Sequence, residues 1–116
     1  MFDLDNITEE AATCNDLEEV VMGLIINSGQ ARSLAYTALK KAKEGDLAAA
    51  HQLMAQSREA LNAAHLVQTQ LIEDDQGEGK IPVTLVLVHA QDHLMTSILC
   101  RELATELVEI YRRQAS

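Results

Sequence analysis

The sequence predicts an all-α fold, an antiparallel bundle of three helices in a single domain. Composition favours helices, because the 116 residues include one proline, five glycines and no tryptophan, with abundant Ala, Leu, Glu and Gln. Apolar residues recur every three or four positions in three long segments, which is the helical period. Short segments rich in glycine and charge separate these stretches, so neighbouring helices can fold back on each other.

Length and charge narrow the classes of function. A chain of this length supports one hydrophobic core. Its formal net charge of −9 disfavours binding to nucleic acid or anionic lipid. The start, Met1–Asp5, is acidic where a signal peptide is basic, and the aliphatic run Leu85–Val88 is far below the ~20 residues of a membrane span. We therefore expect a cytoplasmic protein without direct membrane insertion.

The first predicted helix follows a segment that has no lasting apolar period. We interpret residues 1–14 as a flexible N-terminal arm and residues 15–116 as the single helical domain. A capping box at Asn15–Glu18 marks the predicted start of the helix. Its apolar face continues to Lys43.

The second predicted helix begins directly after a turn. Gly45 suits the C-terminal end of the first helix, and Asp46 suits the N-cap of the second. The apolar period of this helix continues to Leu71. The next segment, Asp74–Lys80, is charged and contains two glycines, so we expect a flexible connection without an apolar anchor.

The third predicted helix has the widest apolar coverage. Pro82 suits its first turn, and the basic pair Arg112 and Arg113 suits its C-terminal turn. The consecutive residues Leu85–Val88 place apolar side chains on more than one side of the helix. A three-helix monomer cannot bury both sides, so we expect part of this helix to pack against another subunit.

Three ionisable side chains interrupt the apolar pattern of the third helix. His89, Asp92 and His93 are three and four residues apart, so they project from neighbouring turns of one surface. Asp92 replaces an apolar residue in a stripe that must face a partner. Burying an ionised carboxylate is energetically unfavourable unless a cation, a shared proton or water in the interface stabilises it. The other residues of this stripe are Leu85, Val88, Met95 and Leu99.

Three functions are compatible with this cluster. In the first, His89 accepts a phosphoryl group on a ring nitrogen and passes it on, while Gln91 and His93 hydrogen-bond the phosphoryl oxygens or fix the ring tautomer. In the second, His89 and His93 are metal ligands in a site similar to the H-x-x-E-H arrangement of some zinc peptidases, with Asp92 at the place of the Glu. In the third, the helical hairpin is a binding module without catalysis.

The first helix contains a polar break at Asn27–Gln30. Gly23 and Gly29 permit close approach of another backbone, although each weakens the helix by ~1 kcal/mol relative to Ala. We interpret both glycines as packing positions and Asn27 as a candidate ligand contact.

Three ordered blocks of the sequence agree with one known family: Leu24–Ala35, Ala63–Thr69 and Leu87–Thr96. They resemble the enzyme IIA component of the bacterial lactose and N,N′-diacetylchitobiose branch of the sugar phosphotransferase system. The similarity extends from about Leu17 to Leu107, and the central block contains the ionisable cluster. The part from Asn27 to Arg32 favours the diacetylchitobiose side of the family.

This resemblance implies a homotrimer in which the third helices pack around a threefold axis. It implies that His89 accepts a phosphoryl group from the histidine-containing phosphocarrier protein and donates it to a cysteine of enzyme IIB. Three copies of Asp92 would surround one divalent cation, Mg²⁺, on the axis. Gln91 and His93 would lie beside the phosphohistidine, and Asn27 would line the cleft from an adjoining subunit.

Overall fold

Three long helices make up the protein. The computed structural model describes residues 9–115, with side chains from residue 17 onward. The helices are α1 (Glu9–Lys43), α2 (Leu47–Asp75) and α3 (Leu85–Ala115), so the predicted all-α three-helix fold is confirmed. No helix in the described part of the chain is long and apolar enough to cross a membrane.

Two groups of buried apolar residues hold the helices together, one at each end of the bundle. The first joins the N-terminal halves of α1 and α3 to the C-terminal half of α2. The second joins the C-terminal halves of α1 and α3 to the start of α2. Consequently α1 and α3 are parallel and α2 is antiparallel to both. The first group is Val21, Leu24, Ala64, Leu71, Leu87, Ala90 and Leu94, and the second is Ala35, Ala38, Ala42, Ala50, Met54, Ala104 and Val108.

Helix α1 begins earlier than predicted. It is helical from Glu9 onward, so Asn15 is not the helix start, while the flexibility predicted for residues 1–14 stays a prediction. Glu and Ala in this segment are strong helix formers, and extending an existing helix adds one hydrogen bond per residue without a new nucleation cost. The rest of the predicted arm, residues 1–8, lies outside the described residues.

The turn between α1 and α2 has the predicted capping residues. Gly45 has φ 92°, a left-handed conformation that glycine adopts without steric cost. The side chain of Asp46 accepts a hydrogen bond of 3.1 Å from the amide of Ala49, which caps α2. The predicted hairpin is therefore confirmed.

The connection between α2 and α3 is anchored, contrary to our expectation of a flexible segment. The carboxylate of Asp75 accepts hydrogen bonds from the amides of Gly79 and Ile81, at 3.3 and 2.9 Å. Ile81, just beyond the charged segment, is half-buried and packs against the first core group. One carboxylate therefore satisfies two backbone donors and fixes the path of the loop.

Helix α3 begins at Leu85, after the predicted start. The prediction that Pro82 lies in its first turn is wrong, because Pro82 belongs to the non-helical segment before it. The hydroxyl of Thr84 accepts a hydrogen bond of 3.2 Å from the amide of Leu87. Thr84 thus occupies the N-cap, where its oxygen satisfies an amide that has no partner within the helix.

Two opposite faces of α3 are apolar, and the protomer covers one of them. Leu87, Ala90 and Leu94 are buried against the hairpin. On the other side, Leu85 is 86% exposed and Met95 is 60% exposed. The face predicted to meet a partner is therefore uncovered in the protomer. We call it the outer stripe of α3, which consists of Leu85, Val88, Asp92, Met95, Leu99, Leu103, Leu107 and Ile110.

Replacing Thr84 with Val removes the N-cap of α3 and nearly preserves side-chain size. We expect the free energy of unfolding to fall by about 1 kcal/mol, the typical value of such a cap. Urea denaturation at one fixed protein concentration measures this change, since association would shift apparent stability. Thr37→Val is the control, because the Thr37 hydroxyl lies mid-helix and donates to the Ser33 carbonyl. Equal stabilities for the two variants would contradict the assignment of Thr84 as a cap.

Candidate functional site

Two histidines stack on the first turns of α3. The ring centroids of His89 and His93 are 6.0 Å apart, and their planes are inclined by 5°. This separation lies within the usual range for interacting rings, roughly 4.5–7 Å. His89 is exposed and His93 is half-buried. The stack therefore restrains the orientation of the His89 ring and leaves the ring accessible to another molecule.

Helix α1 approaches His93 closely at Gly29. A Cβ atom built on Gly29 would lie 3.2 Å from Nε2 of His93, closer than most real contacts. Gly29 is therefore a packing position, as predicted, and the absence of a side chain makes room for the imidazole. A Cβ at Gly23 would meet no atom within 4 Å, so that glycine is not a packing position in the protomer.

Gln91 lies on a different side of α3 from His89. Two residues along a helix correspond to a rotation of roughly 200°. The Gln91 side-chain oxygen accepts a hydrogen bond from the Gln68 amide of α2. In the protomer this bond directs Gln91 away from His89 and toward the second helix. Gln68 was not predicted as the hydrogen-bond partner of Gln91, because a contact between two helices leaves no signal in the residue spacing along either helix.

Asn27 is half-buried on the side of α1 that turns toward α2. One turn further on, the Ala31 carbonyl accepts a hydrogen bond of 2.6 Å from the hydroxyl of Ser57 in α2. Gly29, which faces His93, is roughly 200° away from Asn27 around the helix. Within one protomer, His89 and His93 thus lie together, whereas Asn27 and Gln91 lie on the sides of their helices that face α2.

Asp92 is exposed in the outer stripe, one turn from His89. Among the described residues of one protomer, no three His, Cys, Asp or Glu side chains lie close enough together to hold a metal ion. The zinc-peptidase alternative therefore lacks a third ligand in the described part of the protomer.

The chain matches one family over most of its length. The family described as the lactose/cellobiose-specific IIA subunit of the phosphotransferase system (PTS) matches residues 19–112. The chain is also 70% identical over 113 residues to the PTS N,N′-diacetylchitobiose-specific EIIA component of Escherichia coli K12, with 97% of each chain covered.

Two solved structures share the fold. A chain of the IIA(Chitobiose)–HPr complex of the E. coli phosphotransferase system matches with a TM-score of 0.76 and 72% identity, covering 86% of this chain and 97% of that chain. The PTS cellobiose-specific enzyme IIA of Bacillus anthracis matches with a TM-score of 0.80 and 43% identity, covering 84% of this chain and 89% of that chain. The protein therefore belongs to the lactose/cellobiose-specific IIA family of the phosphotransferase system.

Proposed function

We propose that the protein relays a phosphoryl group in the cytoplasm, taking it onto His89 from HPr, the histidine-containing phosphocarrier protein, and giving it to a cysteine of enzyme IIB. The observation that carries this proposal is the exposed His89 ring, stacked on His93 beside the outer stripe. Family membership supports it, because the matching family is a component of the phosphotransferase system.

The proposed relay uses one nucleophile. A neutral imidazole has a free lone pair on one ring nitrogen, so it can attack phosphorus without help from a base. In the first transfer, a bond forms between phosphorus and a ring nitrogen of His89 as the bond from phosphorus to the donor histidine breaks. In the second, the sulfur of the IIB cysteine attacks phosphorus, and the electron pair of the breaking bond returns to His89.

His93 orients the nucleophile in this proposal. Phosphoryl transfer depends mainly on in-line positioning of the attacking atom and on stabilisation of charge. His93 stacks on the His89 ring and lies close to α1 at Gly29, so it restricts the angle at which the His89 nitrogen meets phosphorus. The roles predicted for Gln91 and Asn27 beside the phosphoryl group stay predictions.

The relatives support an identity for the phosphoryl donor and for the sugar that the relay serves. The IIA relative from E. coli was solved as a complex with HPr, which supports HPr as the donor. That relative and the curated E. coli K12 protein described above are named for N,N′-diacetylchitobiose, and both are far more similar to this chain than the cellobiose-specific enzyme is. We therefore propose that the relay serves uptake and phosphorylation of this disaccharide.

The outer stripe supports a homotrimer. Its apolar residues step along α3 by three and four positions, the spacing of helices that pack side by side. An apolar stripe of this length is unfavourable in water. Three parallel α3 helices around a threefold axis would cover it in every subunit. His89 lies at the edge of the stripe, so it would face the boundary between neighbouring protomers.

Asp92 supports a divalent cation on that axis. Three copies of its carboxylate would meet there, and their mutual repulsion requires a compensating positive charge. Oxygen ligands suit Mg²⁺, which favours carboxylates and water. The exposed carboxylate of Asp92 fits this role, because no described side chain of its own protomer donates a hydrogen bond to it. The ion would offset most of the negative charge of the carboxylates, and no step of phosphoryl transfer passes through it.

Replacing His89 with Gln should abolish phosphorylation, because an amide nitrogen has no available lone pair. Intact-mass analysis after mixing with phosphoenolpyruvate and the upstream phosphotransferase proteins measures the phosphorylated fraction. His65→Gln is the matched control, because His65 is an exposed histidine of α2 and its loss should leave labelling unchanged. Labelling that persists in His89→Gln would refute the assignment.

Replacing Gly29 with Ala should slow phosphoryl transfer roughly three- to tenfold, since small misplacements of a reacting group are costly. The new Cβ would force His93 to shift by a few tenths of an ångström and disturb its stack with His89. Rapid-quench kinetics with phosphorylated HPr measures the rate. Gly23→Ala is the control, because its Cβ meets no atom. Gly23→Ala should gain helix stability of up to ~1 kcal/mol, and Gly29→Ala should gain less because of the contact with His93. Equal transfer rates in the two variants would contradict the positioning role.

Replacing Asp92 with Leu should remove the bound cation and preserve or strengthen the trimer, because an apolar residue suits a buried seam better than clustered carboxylates. Sedimentation equilibrium measures assembly, and elemental analysis of the purified protein measures metal content. Asp74→Leu, at an exposed position of α2, should change neither quantity. A monomeric Asp92→Leu variant, or one that retains the metal, would refute the axial position of Asp92.

A further inference from the structure

A groove between α2 and α3 lies at the other end of the bundle from His89. Its cavity of about 410 Å³ is lined by His51, Met54, Arg58 and Arg101, among others. That volume falls within the range of small-molecule sites, roughly 300–1,000 Å³. Arg101 is about 18 Å along α3 from His89, given the helical rise per residue. The groove is therefore separate from the proposed phosphorylation site.

Arg101 has an unused hydrogen-bond donor in this groove. One terminal nitrogen of its guanidinium donates to the Met54 carbonyl at 3.3 Å. Its Nε is buried and has no hydrogen-bond acceptor among the described residues. A buried donor without an acceptor is costly, and most buried polar groups in folded proteins have a partner. Arg101 as a whole is half-buried and lines the groove, so the accessible part of its guanidinium can donate to an acceptor from outside the protomer.

A second guanidinium reinforces the positive charge. Burial and the nearby charge of Arg58 both lower the pKa of Arg101. Arg58 is itself exposed and forms no ion pair within the described part of the protomer. Two neighbouring cations that form no ion pair within the described residues are unexpected in a chain with a formal charge of −9. An anionic ligand would relieve their repulsion.

The carboxylates that line the groove do not neutralise this pair. Glu109 accepts hydrogen bonds from Arg112 at 2.6 and 2.8 Å and from Arg113 at 3.2 Å. These bonds lower the pKa of Glu109 to about 2, so it is ionised and already paired. Glu106 also lines the groove, and its charge opposes an anion there.

We propose that this groove binds a small phosphate monoester, with the guanidinium groups of Arg58 and Arg101 holding the phosphate. A planar guanidinium matches phosphate oxygens in paired hydrogen bonds. Met54 and Val108 supply an apolar wall for the organic part of the ligand. The cavity is larger than a free phosphate ion requires, which favours an ester. The proposal does not depend on phosphorylation of His89.

Amide chemical shifts of the full-length, ¹⁵N-labelled protein test this site. The ligands are glucose 6-phosphate and inorganic phosphate at constant ionic strength, with glucose as the uncharged control. We expect saturable shifts around Arg58 and Arg101, and about tenfold weaker binding in Arg58→Gln. Arg32→Gln is the matched control, since Arg32 is an exposed arginine of α1 stacked on Tyr36. Glu106→Gln should tighten binding by removing an opposing charge.

Specific outcomes would overturn the proposal. The absence of saturable shifts, or shifts of equal affinity in Arg58→Gln and the unchanged protein, would exclude the arginine pair as an anion site. Equal affinity for inorganic phosphate and glucose 6-phosphate would exclude an ester as the preferred ligand. Because Arg58 is exposed, its replacement should preserve the fold, which the remaining amide signals would verify.

Discussion

Helix α3 has more apolar surface than one protomer buries. The proposed trimer and the location of the candidate site both depend on this excess. Its inner face, with Leu87 and Leu94, closes the core against α1 and α2. Its outer stripe stays exposed. Burying apolar surface contributes roughly 25 cal/mol per Å², so pairing the stripe with copies of itself is favourable. In the proposed trimer, one contact between neighbouring α3 helices, repeated three times, buries the outer stripe of every subunit.

His89 lies on the border between these two faces. A residue of the inner face would be inaccessible to a partner protein, and a residue at the centre of the outer stripe would be covered in the proposed assembly. At the border, the ring stays exposed and is restrained by His93, which in turn is held by the backbone of α1 at Gly29. The same border brings Asp92 within one turn of His89, so the proposed ion site and the proposed nucleophile share one helix.

Local sequence signals predicted much of the structure, whereas contacts between helices did not leave such signals. The N-cap at Asp46 and the adjacency of His89 and His93 follow from residue type and helical spacing. The predicted start of α3 was wrong because Pro82 and Thr84 are both compatible with a helix start. In the structure, the Thr84 hydroxyl accepts a hydrogen bond from the amide of Leu87, so the helix begins after Thr84. The direction of Gln91 depends on Gln68 of another helix, which no spacing within α3 reveals.

Sedimentation equilibrium of the unmodified protein is the most direct test of the proposed trimer, in which copies of the same chain cover the outer stripe. We expect a particle with the mass of three chains at micromolar concentrations, because the exposed apolar face of α3 favours association. A monomer under these conditions would refute the proposed trimer, since the outer stripe would then be a free surface. A dimer would also contradict it, because two helices cannot surround an axial cation with three carboxylates.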